Sequence, residues 1–556
     1  SDGYLDRSAS DLSSIQLGLG YRWDSGHLAY SAMLGHERTQ QAWYGVPRIG
    51  LSGDSAAIVA WAANSYEYGY GEDEERISDL IDRGRKHNYY RYADQVDDYR
   101  QDHHQLHLSQ NWGAWNFGST IHFTKGAGFY EQFKANDDLS LYGAGPLGLA
   151  DSSITTGDVI RRRWLDNDFY GMLIQANRDW NGVSLQLGAG AFDYVGDHFG
   201  VPIWMQYGAS DLLPTDRYYS NTGNKTDRYA FSALSSQAFD GKMQWRGELQ
   251  VRNVGYDVAG TDNDLRVLQV DTSMAFVNPK FGVDWLFDDA NRMFVSVARG
   301  SREPVRNDFI DRSGSAYPKA ETLTDLELGW QHGTENWSIE AVAYRMLYQN
   351  QLVLTGALND VGSPVRMNVD ASQRTGLELS LNWRPGGGFT WFGTATRSIN
   401  TIDKFSETLF DYGNDEDPIA TVIHENTNIS FSPEITGASV ATWEFWSRTN
   451  ASHSTSASVE WNARYVGKQY LDNTSDENRS LPAYGVNDFR FRWIRSRTES
   501  GSVAFSAHIR NFLNADYSAN GWTYSYLYDG IENMTTEVYV YPQAGAHGMI
   551  SLEITF

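Results

Sequence analysis

The feature that most constrains this chain is an apolar alternation of period two that recurs along its length and is never relieved by a long apolar run. In Met243–Arg252, Met243, Trp245, Leu249 and Val251 point one way, and Gln244, Arg246, Glu248, Gln250 and Arg252 point the other. A soluble core cannot bury the second face, and lipid tolerates it no better, so that face must line a wet or protein-filled lumen. The last eleven residues repeat the pattern: Gly548, Ile550, Leu552, Ile554 and Phe556 alternate with Met549, Ser551, Glu553 and Thr555. No stretch of about 18 apolar residues is available for a transmembrane helix. In a bilayer that leaves a closed barrel, because every backbone polar group must be satisfied internally. The expected fold class is therefore all-β, a transmembrane antiparallel β-barrel. Its expected place is the cell outer membrane, with outer-membrane lipid as a partner, and an aromatic end such as Phe556 is the expected signal to the barrel assembly machinery.

Strand pairs are joined by short turns. These fall at Asp24 to Gly26, Asn111 to Ala114, Asp179 to Gly182, Asp240-Gly241, Asp288 to Asn291, Gly333 to Asn336, Pro385 to Gly388, Arg448 to His453 and Thr498 to Gly501. Aromatics crowd them, including Trp23, Trp112, Trp115, Trp180, Trp285, Trp337, Trp383 and Trp493, as in an interfacial girdle. Long polar segments separate the pairs, such as Gln40 to Asp98, Lys125 to Val159, Tyr194 to Lys225, Gly300 to Ala320, Thr401 to His424 and Ala515 to Gln543. Tight turns at one end and long loops at the other match a barrel whose loops face outward. The count is about 19 strands, against about 22 for the large plugged transporters. Strand direction makes the first readable strand the fourth of such a barrel.

Composition excludes other classes. The net charge of −25 argues against nucleic-acid binding, and the lack of cysteine removes disulfides and thiolate metal sites. No catalytic constellation emerges, so an enzyme is not expected. Ser55 in Gly-Asp-Ser-Ala-Ala lacks the second glycine of a nucleophile elbow and is expected in a loop, and the acidic pairs Asp137-Asp138 and Asp288-Asp289 are expected in loops or turns. His103 and His107 share a strand face that His104 opposes, which is not a preformed metal site. No cofactor is expected. Asp411 to Asp417 has oxygen donors for calcium, with a solvated acidic loop as the simpler reading.

Several segments resemble the TonB-dependent outer-membrane receptor family, especially receptors of the Bacteroidota. They include VIRRRWLDNDFYG (159–171), NPKFGVDW (278–285), ARGSREPVRNDF (298–309), AETLTDLELGW (320–330), RTGLELSLNW (374–383), YVGKQYLDNT (465–474), IRNFLNADY (509–517) and YPQAGAHGMISLEITF (541–556). Their order over nearly the whole chain carries the resemblance. It implies the 22-strand barrel type and energy-coupled import of a bulky, scarce ligand driven by the TonB complex. A ferric siderophore or other metal chelate is the first expectation, followed by cobalamin and an oligosaccharide. Family haem receptors carry Arg-Ala-Pro and a following loop histidine, whereas this chain has Arg302-Glu303-Pro304 and no histidine before Thr322, so haem is disfavoured. Wall charges in the family contact a lumen-filling plug, which makes Arg22, Arg246, Glu248, Arg252, Glu378, Arg490, Arg492 and Glu553 the expected plug-facing set. The match begins inside the family's barrel. The expectation is thus one domain over 1–556, truncated at its N-terminus, with the plug and about three strands outside it. A surface lipoprotein is a further candidate partner. A natively plugless chain would instead be a passive porin-like channel.

Overall fold

In the computed structural model the residues described are 2–65, 70, 71, 73–144, 147–149, 152–208, 213, 216–312, 316–359, 361–414, 418–497 and 501–555, with 147–149 and 152 described by backbone alone. Phe556 lies outside them, as do the turn residues 498–500 and residues 415–417 of the aspartate-rich loop.

One antiparallel sheet dominates, and 19 of its 23 strands follow one another as a wall. They are β1 (Ser10–Trp23), β2 (Gly26–Gln40), β3 (Val96–Trp112), β4 (Trp115–Asp138), β5 (Thr156–Trp180), β6 (Val183–Met205) and β7 (Tyr219–Ala238). Then come β8 (Met243–Thr261), β9 (Val267–Leu286), β10 (Asn291–Arg302), β11 (Glu321–Gly333), β12 (Trp337–Leu358) and β13 (Pro364–Gly386). The wall ends with β14 (Phe389–Asp411), β15 (Ile435–Thr449), β16 (His453–Val466), β17 (Tyr484–Arg497), β18 (Gly501–Arg510) and β19 (His547–Thr555). The four remaining strands, Val46–Pro47, Ile419–Asn428, Ser518–Leu527 and Met534–Pro542, belong to the long connections. Each wall strand pairs with its sequence neighbour. Among the described residues β1 pairs with β2 alone and β19 with β18 alone, leaving one edge on each.

The register separates the two faces as the alternation requires. Leu249 and Val251 lie opposite Pro279 and Val277 on a row where Leu249, Val251 and Val277 are each about half exposed. Exposed apolar rows of this kind continue through Ile121, Met172, Leu328, Leu377 and Ile550 and are stable only against lipid. On the opposite face aromatic rings lie across glycines of the adjoining strand. Tyr229 and Phe231 sit opposite Gly190 and Gly188, and Phe294 sits opposite Gly329. A Cβ built at Gly188 would come within 2.2 Å of the Phe231 ring, and one at Gly329 within 2.0 Å of Phe294. The glycines thus admit flat rings along the inner wall.

Two expectations about the long segments need correction. The strands continue well into them: β4 runs to Asp138, β6 to Met205 and β14 to Asp411, so Asp137-Asp138 ends a strand and does not lie in a loop. Above the bilayer both faces of a strand are wet, and the apolar alternation that marks strands within lipid is lost. The segment after β2 also contains helices α1 (Ser55–Ala62) and α2 (Glu74–Arg83). Ser55 therefore opens a helix, with the Asp54 carboxylate accepting from the Ala56 and Ala57 amides at 3.0 and 3.1 Å. Asp73 caps α2 in the same way, accepting from the Arg76 amide at 2.9 Å.

These helices pack against the hairpin Ser518–Leu527/Met534–Pro542 as a folded cap. Its core is Val46, Ile58, Ala62, Tyr70, Leu80, Trp522 and Tyr539. Trp522 stacks on Tyr539 with centroids 4.3 Å apart, and its indole N–H donates to the Tyr44 carbonyl at 2.9 Å. Inside the cap His87 is fully buried, 2.6 Å from Asp79 and 3.0 Å from the Tyr70 hydroxyl. Burial outweighs the Asp79 bond and holds the His87 imidazole below its usual pKa. A second tie is Arg479, which is buried and bonded to Asp472 at 2.9 Å and to Glu407.

Candidate functional site

The eight wall charges singled out from sequence all fall on the polar row of their strands. The register places Arg22 opposite His27, Arg246 opposite Gly282, Glu378 opposite Thr396, Arg490 opposite Glu460, and Glu553 opposite Ala504. Their surroundings differ. Arg246 donates to Gln186 at 3.0 Å and sits 3.3 Å from Glu248, and Arg490 is 3.3 Å from Glu460. Arg252 is the most committed, forking onto Asp227 at 2.9 and 2.7 Å and onto Glu303 at 2.8 and 3.0 Å. Arg22, Glu378, Arg492 and Glu553 have no hydrogen-bond or ion-pair partner among the described residues.

The structure assembles a pocket that the sequence did not reveal. A cavity of about 320 Å³ draws residues from six consecutive strands, among them Glu37 from β2, Tyr99 from β3, Tyr130 from β4, Arg163 from β5, His198 from β6 and Tyr219 from β7. One cross-strand row, Asp97–Tyr130–Arg163–Gly200–Tyr219, forms its back. Its lining also includes Asp262 and Asn263 of the β8–β9 connection, Arg306 and Asn307 of α3 (Arg306–Ile310), Asp311 just after it, and Asn359 and Ser363 before β13. Arg163 donates to the Tyr219 hydroxyl and to Asn263, each at 3.3 Å. Arg306 donates to Asn221 at 2.7 Å, while its buried Nε has no hydrogen-bond partner among the described residues. Burial presses the Arg306 guanidinium below its usual pKa, with Asp262 opposing. Two guanidiniums and three phenol rings, with the carboxylates of Glu37, Asp97, Asp262 and Asp311 beside them, give a lining of mixed charge on which an oxygen-rich ligand can stack and form hydrogen bonds.

The loop carrying Arg306 is fastened at both ends. Glu303 is 6% exposed and accepts from Lys225 at 2.6 Å and from the Arg252 fork. Burial raises its pKa, but the Lys225 and Arg252 hydrogen bonds outweigh that and leave it lowered. Asp308 accepts from Arg366 at 2.9 and 2.7 Å and from the Val305 amide at 2.7 Å. Glu303 is the residue that distinguishes this segment from Arg-Ala-Pro.

His103 and His107 lie on the polar row, bonded to Thr124 at 2.9 Å and Thr120 at 3.0 Å, while His104 on the other face meets the Tyr30 hydroxyl at 2.8 Å. Among the described residues no group of three or more His, Cys, Asp or Glu side chains is placed to hold a metal ion. The Asp411 carboxylate is occupied by the amides of Gly413, Asp529 and Gly530 at 2.8 to 3.0 Å, so it serves as a loop tie.

Residues 48–512 match the model of the family described as TonB dependent receptor-like, beta-barrel. The chain belongs to that family. It is accordingly an outer-membrane β-barrel of the TonB-dependent receptor type. No curated protein matches it. Solved structures similar to it include the ferric-catecholate import receptor Fiu from E. coli K12 in its closed form, at 14% identity and TM-score 0.63, covering 100% of this chain and 76% of that one. The ferric yersiniabactin uptake receptor FyuA from Yersinia pestis is similar at 14% identity and TM-score 0.63, covering 99% and 71%. The copper transporter OprC is similar at 13% identity and TM-score 0.65, covering 100% and 74%. At these identities the likeness is one of fold.

Proposed function

We propose that this receptor imports a bulky metal chelate, a ferric siderophore first, across the outer membrane under the drive of the TonB complex. The observation that carries the reading is the tyrosine-lined pocket into which Arg163 and Arg306 converge beneath the outer connections. Phenols and guanidiniums recognise the charged oxygens and flat rings of such a chelate. Fiu and FyuA, named for ferric catecholate and ferric yersiniabactin, have the same fold and add support. Glu303, held by Lys225 and Arg252, occupies the position of the haem receptors' alanine and supports a ligand other than haem.

Transport is the work of a receptor family, and no chemical step is assigned to any residue. In this reading the four unpartnered wall charges, Arg22, Glu378, Arg492 and Glu553, contact a plug. Further antiparallel strands bridge the free edges of β1 and β19. The barrel assembly machinery reads the β19 end of the chain.

Binding tests the ligand class. Ferric tris-catecholate, a ferric hydroxamate, cobalamin and a neutral oligosaccharide are titrated against the purified receptor with tryptophan fluorescence as the readout. The proposal expects quenching by a ferric chelate and a loss of about tenfold or more in affinity for Arg163→Ala and Arg306→Ala, the scale of one charge-assisted pair. Binding of cobalamin or oligosaccharide alone, or a chelate affinity indifferent to both substitutions, overturns it.

A further inference from the structure

We infer that the outer wall of β10–β14 carries a docking site for the phosphorylated headgroup of a glycolipid in the outer leaflet, built from Arg299, Arg345 and Arg397. Each of these arginines lies eight residues past the first residue of a strand that rises from a short turn: Asn291 for β10, Trp337 for β12 and Phe389 for β14. Equal offsets on alternate strands put them at one height. Eight residues at a rise of about 3.3 Å, on strands tilted by roughly 40°, place them about 20 Å above the turns, close to the top of an apolar band about 25 Å tall. Two intervening strand spacings set neighbouring arginines roughly 10–13 Å apart.

All three are on the lipid-facing row and exposed. The register sets Thr324 against Arg299, Leu326 and Thr375 against Arg345, and Leu377 and Ile435 against Arg397. No carboxylate is among these neighbours. Arg345 makes one long hydrogen bond to Gln373, at 3.4 Å, while Arg299 and Arg397 have no hydrogen-bond or ion-pair partner among the described residues. Three outward cations on other strands are instead paired within the wall: Arg100 with Asp102 at 2.9 Å, Lys125 with Asp166 at 2.5 Å and Arg228 with Asp193 at 2.7 Å.

On a chain of net charge −25, a level row of three arginines without counter-charges at the edge of the hydrocarbon calls for an anion supplied from outside. Their long stems can run along the apolar row and lift the guanidinium into the headgroup layer. There the anion at hand is phosphate, which the planar guanidinium grips with two hydrogen bonds. The exposed Val297, Leu347 and Ile399 flank the row and offer surface to acyl chains.

The test is native mass spectrometry of the delipidated full chain, titrated with bis-phosphorylated lipid A and with its phosphate-free counterpart. Wild type is expected to retain the phosphorylated lipid in preference. The Arg299→Gln/Arg345→Gln/Arg397→Gln variant is expected to bind it on the order of 10–100-fold more weakly, from the typical contribution of each basic residue at a lipid surface. The matching triple Lys variant keeps most of the binding, because charge is preserved, and Arg228→Gln leaves it unchanged. Equal retention of both lipids, wild-type binding by the triple Gln variant, or an equal loss in Arg228→Gln overturns the inference. If the triple Gln variant does not fold, the three single Gln variants carry the same comparison, each expected to bind several-fold more weakly than wild type, and wild-type binding by all three overturns it.

Discussion

Replacing Glu303 by Gln is expected to free the loop that presents Arg306 without disturbing the wall. The carboxylate is almost fully buried, while its partners Lys225 and Arg252 have side chains 28% and 20% exposed. Removing one member of a buried ion pair costs about 3–5 kcal/mol. Partial exposure of the cations, and the Asp227 contact that Arg252 keeps, cut this to roughly 2 kcal/mol. At about 1.4 kcal/mol per tenfold, the local opening constant of the loop rises about 30-fold. Hydrogen exchange of peptide 303–312 reads it, because the Asp308 and Asp311 amides are bonded within the helix, at 3.0 and 2.8 Å. The cap helix α2 serves as an unaffected reference. Since Arg366 holds Asp308 at the other end, Glu303→Gln combined with Asp308→Asn should exceed the sum of the single effects. Because the folded pKa of Glu303 lies below its unfolded value, the anchor is fully present above that unfolded value, near 4.3, and is lost as pH falls through the lower folded value. Wild-type exchange, corrected for intrinsic rates, should therefore stay flat from about pH 8 to about pH 5. A change of less than about threefold in Glu303→Gln, against the 30-fold expected, would refute the reasoning.

Other expectations concern the cap and the wall. His87 is held below its usual pKa, so its contribution is fully present above the unfolded value near 6.5 and is lost as pH falls from there through the lower folded value. Exchange in residues 77–90 should accelerate progressively as pH falls below about 6.5, and His87→Gln should remove that dependence. Trp522→Ala should cost the cap about 3–5 kcal/mol and expose Arg83–Lys86 to trypsin, while the heat-dependent electrophoretic shift of the barrel is retained. Gly188→Val drives a methyl into the Phe231 ring and should lower wall stability by about 1–3 kcal/mol, read as an earlier guanidinium unfolding midpoint in detergent.

The wall was legible because each of its strands meets lipid on one side and polar surroundings on the other. Met243–Arg252 could be read residue by residue for that reason, and eight of the nine short turns follow from Asp, Asn and Gly at the expected places, the ninth lying outside the described residues. Above the bilayer this contrast vanishes, so Tyr194–Gly200 reads as loop although it is strand. The helices of the cap left weaker marks: Asp73-Glu74-Glu75 opens α2 and Gly84, at φ 49°, closes it, both within a segment otherwise rich in turn formers. The pocket could not be read at all. Its members are spread from Glu37 to Ser363 and meet only when six strands are in register. One hint was present, the run Arg161-Arg162-Arg163: on a strand, alternate members must share a face, and Arg161 and Arg163 do share the polar one, with Arg162 turned outward onto Glu131 at 2.7 Å. Arg252 shows the opposite limit, since sequence could place it on the polar row but not reveal that Asp227 and Glu303 already hold it.

The central claim is energised import of a metal chelate through this barrel, and uptake tests it most directly. Iron-labelled chelate is followed into cells expressing the receptor gene at its native length, with and without a functional TonB complex, and with Arg163→Ala/Arg306→Ala. Accumulation that requires both the TonB complex and the two arginines is the predicted result. Accumulation that persists without the TonB complex, or no accumulation of any ferric chelate by an inserted receptor, would contradict it.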